Sequence, residues 1–259
     1  MTKYLITLAL LACASNALAD LNVSGPRDLN LKPGEARSVD YLLTNTGDAP
    51  VRATVFFNDY IQGPDGSLSH VPARSLPQSL FRVASFPNRD YLIPAKSSVV
   101  VPLKVQVPAE ALGGYWGVIG VDSEAAAASG AKNSVGIRVR YAMVTALTVD
   151  GRSKHALSIQ NLVSGKDKAG KPTLNLTVAN DGNTYERYDL KVVFQVPGGK
   201  PVEVTKPMVI LPGVTIDLAL DVPSTLPAGT YAVFAVATAA TGERGEAVGS
   251  LTVPAATKP

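Results

Sequence analysis

The chain predicts an all-β fold: two tandem β-sandwich domains behind an export signal. Three observations carry that expectation. Apolar residues recur with a period of two, as in Val51-Arg52-Ala53-Thr54-Val55 and Leu174-Asn175-Leu176-Thr177-Val178, which is the pattern of a strand buried on one face. The 259 residues include 22 Gly and 19 Pro, punctuation that strands joined by turns need and long helices do not tolerate. The two halves of the chain also repeat one order of turns and strands. At roughly 100–200 residues per domain, the length suits two domains that each bury a core.

The N-terminus carries an address. Lys3 is followed by an apolar run over residues 4–14 and then by Ala17-Leu18-Ala19. Residues 1–19 therefore form a secretory signal peptide, too short to span a bilayer and ending in small residues, and the mature chain begins at Asp20. Two alternatives stay open: lipoprotein processing at Leu10-Leu11-Ala12-Cys13, and a buried N-terminal helix. No later segment is apolar for 18 residues, so the mature chain is expected to have no membrane span.

Composition narrows the function. With 46% hydrophobic and 17% charged residues, the chain is too apolar for disorder. A net charge of +3 without a dense basic run gives no reason to expect nucleic acid or an anionic membrane as partner. Two His and one Cys exclude most metal cages and any disulfide framework, so no cofactor is expected.

Residues 20–150 form the N-terminal domain and residues 151–259 the C-terminal domain with a short tail. The first copy of the repeat reads Thr44-Asn45-Thr46-Gly47 before a strand at Val51, and the second reads Asn180-Asp181-Gly182 before a strand near Arg187. Asn tolerates left-handed backbone angles and Gly adopts them freely, so Asn-x-Gly turns the chain. Ile93-Pro94 then opens a strand ending at Val107-Pro108, and Leu211-Pro212 opens one ending at Val222-Pro223. Gly113-Gly114-Tyr115 and Gly229-Thr230-Tyr231 follow. Gly-x-Tyr before a strand is the pattern of the tyrosine corner of immunoglobulin-like sandwiches, whose hydroxyl bonds to backbone upstream. Only the first copy carries an insertion, residues 61–86, expected as a hairpin plus an irregular excursion, with a short helical interruption around 73–84.

Gly25-Pro26-Arg27, Leu31-Lys32-Pro33-Gly34-Glu35, Thr44-Asn45-Thr46-Gly47-Asp48, Pro94-Ala95-Lys96-Ser97 and Gly113-Gly114-Tyr115-Trp116 resemble a secreted bacterial immunoglobulin-like module. Over most of the first domain, and in the two-domain layout, the chain resembles the periplasmic pilus-assembly (PapD-like) chaperones. That resemblance implies a non-enzymatic chaperone that holds an incomplete subunit by lending it the last strand of its first domain. It implies as partner a protein subunit of a pilus or surface assembly, with an outer-membrane assembly protein beside it. It also implies a basic grip on the subunit's C-terminal carboxylate, for which Arg27 and either Arg138 or Arg140 are the candidates.

The strand to be lent would come from residues 134–149. Val135, Ile137, Val139, Tyr141, Met143, Leu147 and Val149 share one face, interrupted only by Thr145. The first four are the candidate strand-addition face, whose main chain would bond to the subunit while alternate side chains fill its groove. The other reading is a long terminal strand whose apolar side chains sit in the protein's own core, with Arg138 and Arg140 guarding a sheet edge.

Catalytic patterns are missing: the chain has no Gly-x-Ser-x-Gly, Walker loop or His-Glu-x-x-His. His70 and His155 lie in different domains, and both are expected in exposed turns. Three functions remain: a periplasmic strand-adding chaperone; a structural or adhesive cell-surface module; and a carbohydrate-binding module using Tyr115 and Trp116 as a platform.

Overall fold

A computed structural model describes residues 21–125 and 138–255. The expected signal peptide, and Val135 and Ile137 of the expected strand, fall outside the described residues. Among the described residues no helix is long and apolar enough to cross a membrane.

The first sandwich is built from β1 (Leu21–Ser24), β2 (Asp28–Leu31), β3 (Ala36–Asn45), β4 (Val51–Gln62), β5 (Leu68–Pro72), β6 (Ala84–Ser85), β7 (Asp90–Ile93), β8 (Ser97–Gln106), β9 (Gly114–Ala125) and β10 (Arg138–Val149). One sheet has the order β1-β3-β8-β6 and the other β2-β10-β9-β4-β5, with β7 also on β4. The inward residues of both sheets, among them Leu31, Tyr41, Leu43, Leu103, Leu147 and Val149, form one core. The second sandwich is built from β11 (Leu157–Lys166), β12 (Pro172–Asn180), β13 (Glu186–Gln195), β14 (Val202–Ile210), β15 (Thr215–Asp221), β16 (Gly229–Ala239) and β17 (Arg244–Val253). Its sheets run β11-β12-β15 and β14-β13-β16-β17, around Leu174, Tyr188, Phe194, Val233 and Leu251.

The repeat has a shared mechanism. Asn45 and Asn180 are both buried. Asn45 Nδ2 donates to the carbonyls of Ala49, Ile93 and Pro94, and its Oδ1 accepts from the Gly47 amide. Asn180 Nδ2 donates to the carbonyls of Thr184 and Ile210, and its Oδ1 accepts from the Gly182 amide. Each asparagine thus ties its own turn to the strand opened by the Ile-Pro or Leu-Pro motif, satisfying buried carbonyls that would otherwise be orphaned. The tyrosine corner forms only in the second copy, where Tyr231 Oη donates to the Pro227 carbonyl at 2.6 Å. Tyr115 is half-buried against the first core instead.

The insertion divides as its sequence indicates. Gly63-Pro64-Asp65-Gly66 turns β4 into β5, with Asp65 Oδ1 accepting from the amide and hydroxyl of Ser67. Beyond β5 a single 3-10 turn, Leu80–Arg82, buries Leu80 and Phe81. Buried Asp59 holds this excursion by accepting from the Ser79 hydroxyl at 2.6 Å and the Leu76 amide at 3.1 Å.

The hairpin also reaches the second sandwich. Gln62 Nε2 donates to the Val209 carbonyl, Gln62 Oε1 accepts from the Leu211 amide, and the Asp217 amide donates to the Pro64 carbonyl. Beside it, Tyr60, Trp116, Val118 and Ala146 of the first sandwich pack with Tyr185 and Leu211 of the second. Trp116 is therefore a buried junction residue, 4% exposed, and cannot present a sugar platform. His155 is half-buried rather than in an exposed turn: its Nδ1 pairs with Glu186, a carboxylate 31 residues away, and its Nε2 lies 3.2 Å from the Ser153 hydroxyl.

Candidate strand-addition edge

β10 pairs with β9 along its length, from Arg138 opposite Glu124 to Thr148 opposite Gly114. On its other side, β2 runs parallel to it only over Ala146–Val149. The Ala146 amide donates to the Arg27 carbonyl and the Asp150 amide to the Leu31 carbonyl, whereas the Val149 amide donates toward β9 at Gly113. The backbone groups of even-numbered residues therefore point away from β9, because successive residues of a strand alternate. Among the described residues, no strand pairs with the outward side of Arg138, Arg140, Ala142 and Val144. This is an open lane in line with β2.

Three residues fix that lane. Tyr41 Oη donates to the Pro26 carbonyl at 2.9 Å and lies 3.0 Å from the Thr145 hydroxyl. The ring crosses Gly25 so closely that a Cβ there would meet it at 2.2 Å. Thr145, the polar interruption of the apolar face, is thus the buried partner of a buried tyrosine, and together they set where β2 begins.

The expected strand-addition face is only partly as the sequence indicates. Met143, Leu147 and Val149 lie in the first core and Tyr141 packs against it, while Val139 is half-buried. The odd-numbered apolar row is thus turned inward along most of the described strand, and the open feature is the backbone edge.

The basic candidates separate. Arg27 stands at the start of β2, beside the end of the open lane. Arg140 lies six residues up the strand from Ala146, roughly 20 Å at about 3.3 Å per residue. Its guanidinium is held by Asp122, with bonds of 2.6 and 2.8 Å, and sits 4.8 Å above the Phe56 ring. Arg138 lies further still. Arg140 does not meet Arg27 over one carboxylate, because strand length keeps the two apart. The cation that does stand by this corner is Arg187, from the second sandwich. It pairs with Asp28 and lies 5.2 Å above the Tyr185 ring. Burial pushes the Tyr185 hydroxyl up, opposed by the nearby charges of Arg187 and Arg27. In the sequence Arg187 is an ordinary outward residue of a strand, and only the docking of the sandwiches brings it here.

No protein-family model matches the chain, and no curated protein matches it by sequence. Solved structures do. A chain from a chaperone–tip adhesin complex of CFA/I fimbriae superposes with a TM-score of 0.50 at 15% identity, covering 92% of this chain and 100% of that one. The YadV chaperone superposes at 0.49 and 17% identity, covering 90% and 100%. The E. coli chaperone DraB superposes at 0.46 and 13% identity, covering 90% and 96%. At these identities the likeness is one of fold. The chain has the PapD-like two-domain β-sandwich fold.

Proposed function

We propose that the protein is an exported, non-enzymatic chaperone that binds assembling fimbrial or surface-protein subunits in the periplasm by β-strand addition. The observation that carries this reading is the outward edge of β10 over Arg138–Thr145, where among the described residues no strand pairs, beside β2, which already pairs with its continuation. A subunit strand entering the lane lies end to end with β2. If it runs parallel to β10, as β2 does, its C-terminus arrives at Arg27 and Arg187. A terminal carboxylate there meets two cations, a charge-assisted contact, and joins Asp28 in sharing Arg187. The main chain supplies affinity, at about 0.5–1.5 kcal/mol net per hydrogen bond. The secretory signal in the sequence supports export.

A structural surface module is the second reading. It is favoured by the Arg140–Asp122 pair, since charges on an edge strand guard against chance pairing. Capture from a periplasmic extract separates the two. The chaperone reading predicts a 1:1 complex with a pilin-like subunit that Ala142→Pro abolishes and Arg27→Ala weakens. Recovery of no subunit, or equal recovery with the proline variant, overturns it.

A further inference from the structure

We propose that a second site, a concavity on the β3-β8-β6 sheet of the first sandwich, binds a phosphate group carried by a small ligand or a lipid headgroup. The concavity encloses about 770 Å³, inside the range of about 300–1,000 Å³ usual for ligand pockets. Arg37, Arg74, Arg82 and Lys104 line it with four cations, while Phe81, Val83 and Val105 are buried beneath it. None of its lining residues is acidic. Glu35, at the rim, takes Arg37 at 2.6 Å. Among the described residues the other three cations pair with no carboxylate.

The donors are arranged before any ligand arrives. Lys104 on β8 lies opposite Ser38 on β3 and opposite Ser85 on β6. Residues directly opposite share a sheet face, so Lys104 shares its face with Ser38 and Ser85, both exposed, whereas Arg37 lies opposite core-facing Val105. Arg74 has a left-handed backbone, φ 68°, and its amide donates to Ser79 Oγ. Its Nε donates to the Phe81 carbonyl at 2.7 Å. Arg82 donates to the carbonyls of Leu76 at 2.7 Å and Arg74 at 2.9 Å. These bonds fix each guanidinium by one side and leave further N–H donors on each fork. Planar forks held in place match the oxygens of a phosphate in pairs. A lone carboxylate would leave most of the charge uncompensated, whereas a phosphate monoester or pyrophosphate carries two or more charges. The four cations come from positions 37, 74, 82 and 104, so no basic run marks them in the sequence.

Calorimetric titration of the mature chain with inorganic pyrophosphate at low ionic strength tests the site, alongside co-sedimentation with phosphatidylglycerol vesicles against phosphatidylcholine vesicles. Lys104→Glu is the main variant, since Lys104 is exposed and bonds to no described neighbour. Ser38→Ala with Ser85→Ala is the second. Saturable pyrophosphate binding that weakens at least about tenfold (about 1.4 kcal/mol) in Lys104→Glu is the expected result for a free phosphate ligand. Binding to phosphatidylglycerol vesicles alone, lost in the same variant, assigns the phosphate to a lipid headgroup. The serine pair should weaken either by a few-fold. The proposal is overturned if neither probe binds, if Lys104→Glu binds as well as the parent, or if a polyglutamate peptide binds more tightly than both.

Discussion

Asn45 and Asn180 each close a turn and satisfy buried carbonyls two strands apart. Asn180→Ala should therefore lower unfolding stability by about 2–3 kcal/mol, since the carbonyls of Thr184 and Ile210 lose their donor while staying buried. Chemical denaturation measures this. Tyr188 has the opposite character, because its buried hydroxyl finds no hydrogen-bond partner. Tyr188→Phe should leave stability unchanged or raise it by up to about 1 kcal/mol. The same residue bears on pH. Burial raises the hydroxyls of Tyr41, Tyr60, Tyr185 and Tyr188 above their usual value, with Glu186 and Glu243 adding to the rise at Tyr188. In the unfolded chain these phenols ionise near pH 10. Above that pH the unfolded chain has shed protons that the folded chain keeps, so stability is full below about pH 10 and falls as pH climbs. Thermal melts between pH 8 and 11.5 should show the fall, with a shallower slope in Tyr188→Phe.

A strand has two edges as well as two faces, and the sequence of β10 displays only its faces. Period-two alternation marked the strand and its apolar row, and the described part of that row from Tyr141 to Val149 packs in or against the core. Which backbone side stays open depends on how far β2 runs beside it, and that is set by Gly25, Tyr41 and Thr145 from three separate segments. Proline distinguishes the two edges. Ala142→Pro removes an outward amide and spares the β9 ladder, so the fold should hold while strand addition is blocked. Met143→Pro removes an inward ladder bond and should cost about 3 kcal/mol or more. Circular dichroism with denaturation curves for both variants checks the contrast; equal loss of stability would contradict the assignment of the edges.

For the whole molecule, the sequence displayed two sandwiches, their repeat and the insertion, because turns and periodicity are local signals. It did not display the junction. Gln62 reaching Val209 and Leu211, and Arg187 arriving at Asp28, pair residues more than a hundred positions apart and follow from docking one sandwich on the other. Gln62→Ala leaves two junction backbone groups without their partner and should destabilise by about 1–3 kcal/mol. Calorimetry should then show the two sandwiches melting less cooperatively. The open lane and the cationic corner also lie at this junction, which is why Arg187 could not be paired with Arg27 from spacing alone. Amide hydrogen exchange along β10 tests the central claim most directly. In the uncomplexed chain Arg140, Ala142 and Val144 should exchange quickly while Tyr141 and Met143 are protected, and the first three should become protected in the subunit complex. Slow exchange at Arg140, Ala142 and Val144 in the uncomplexed chain, or no gain of protection on complex formation, would contradict it.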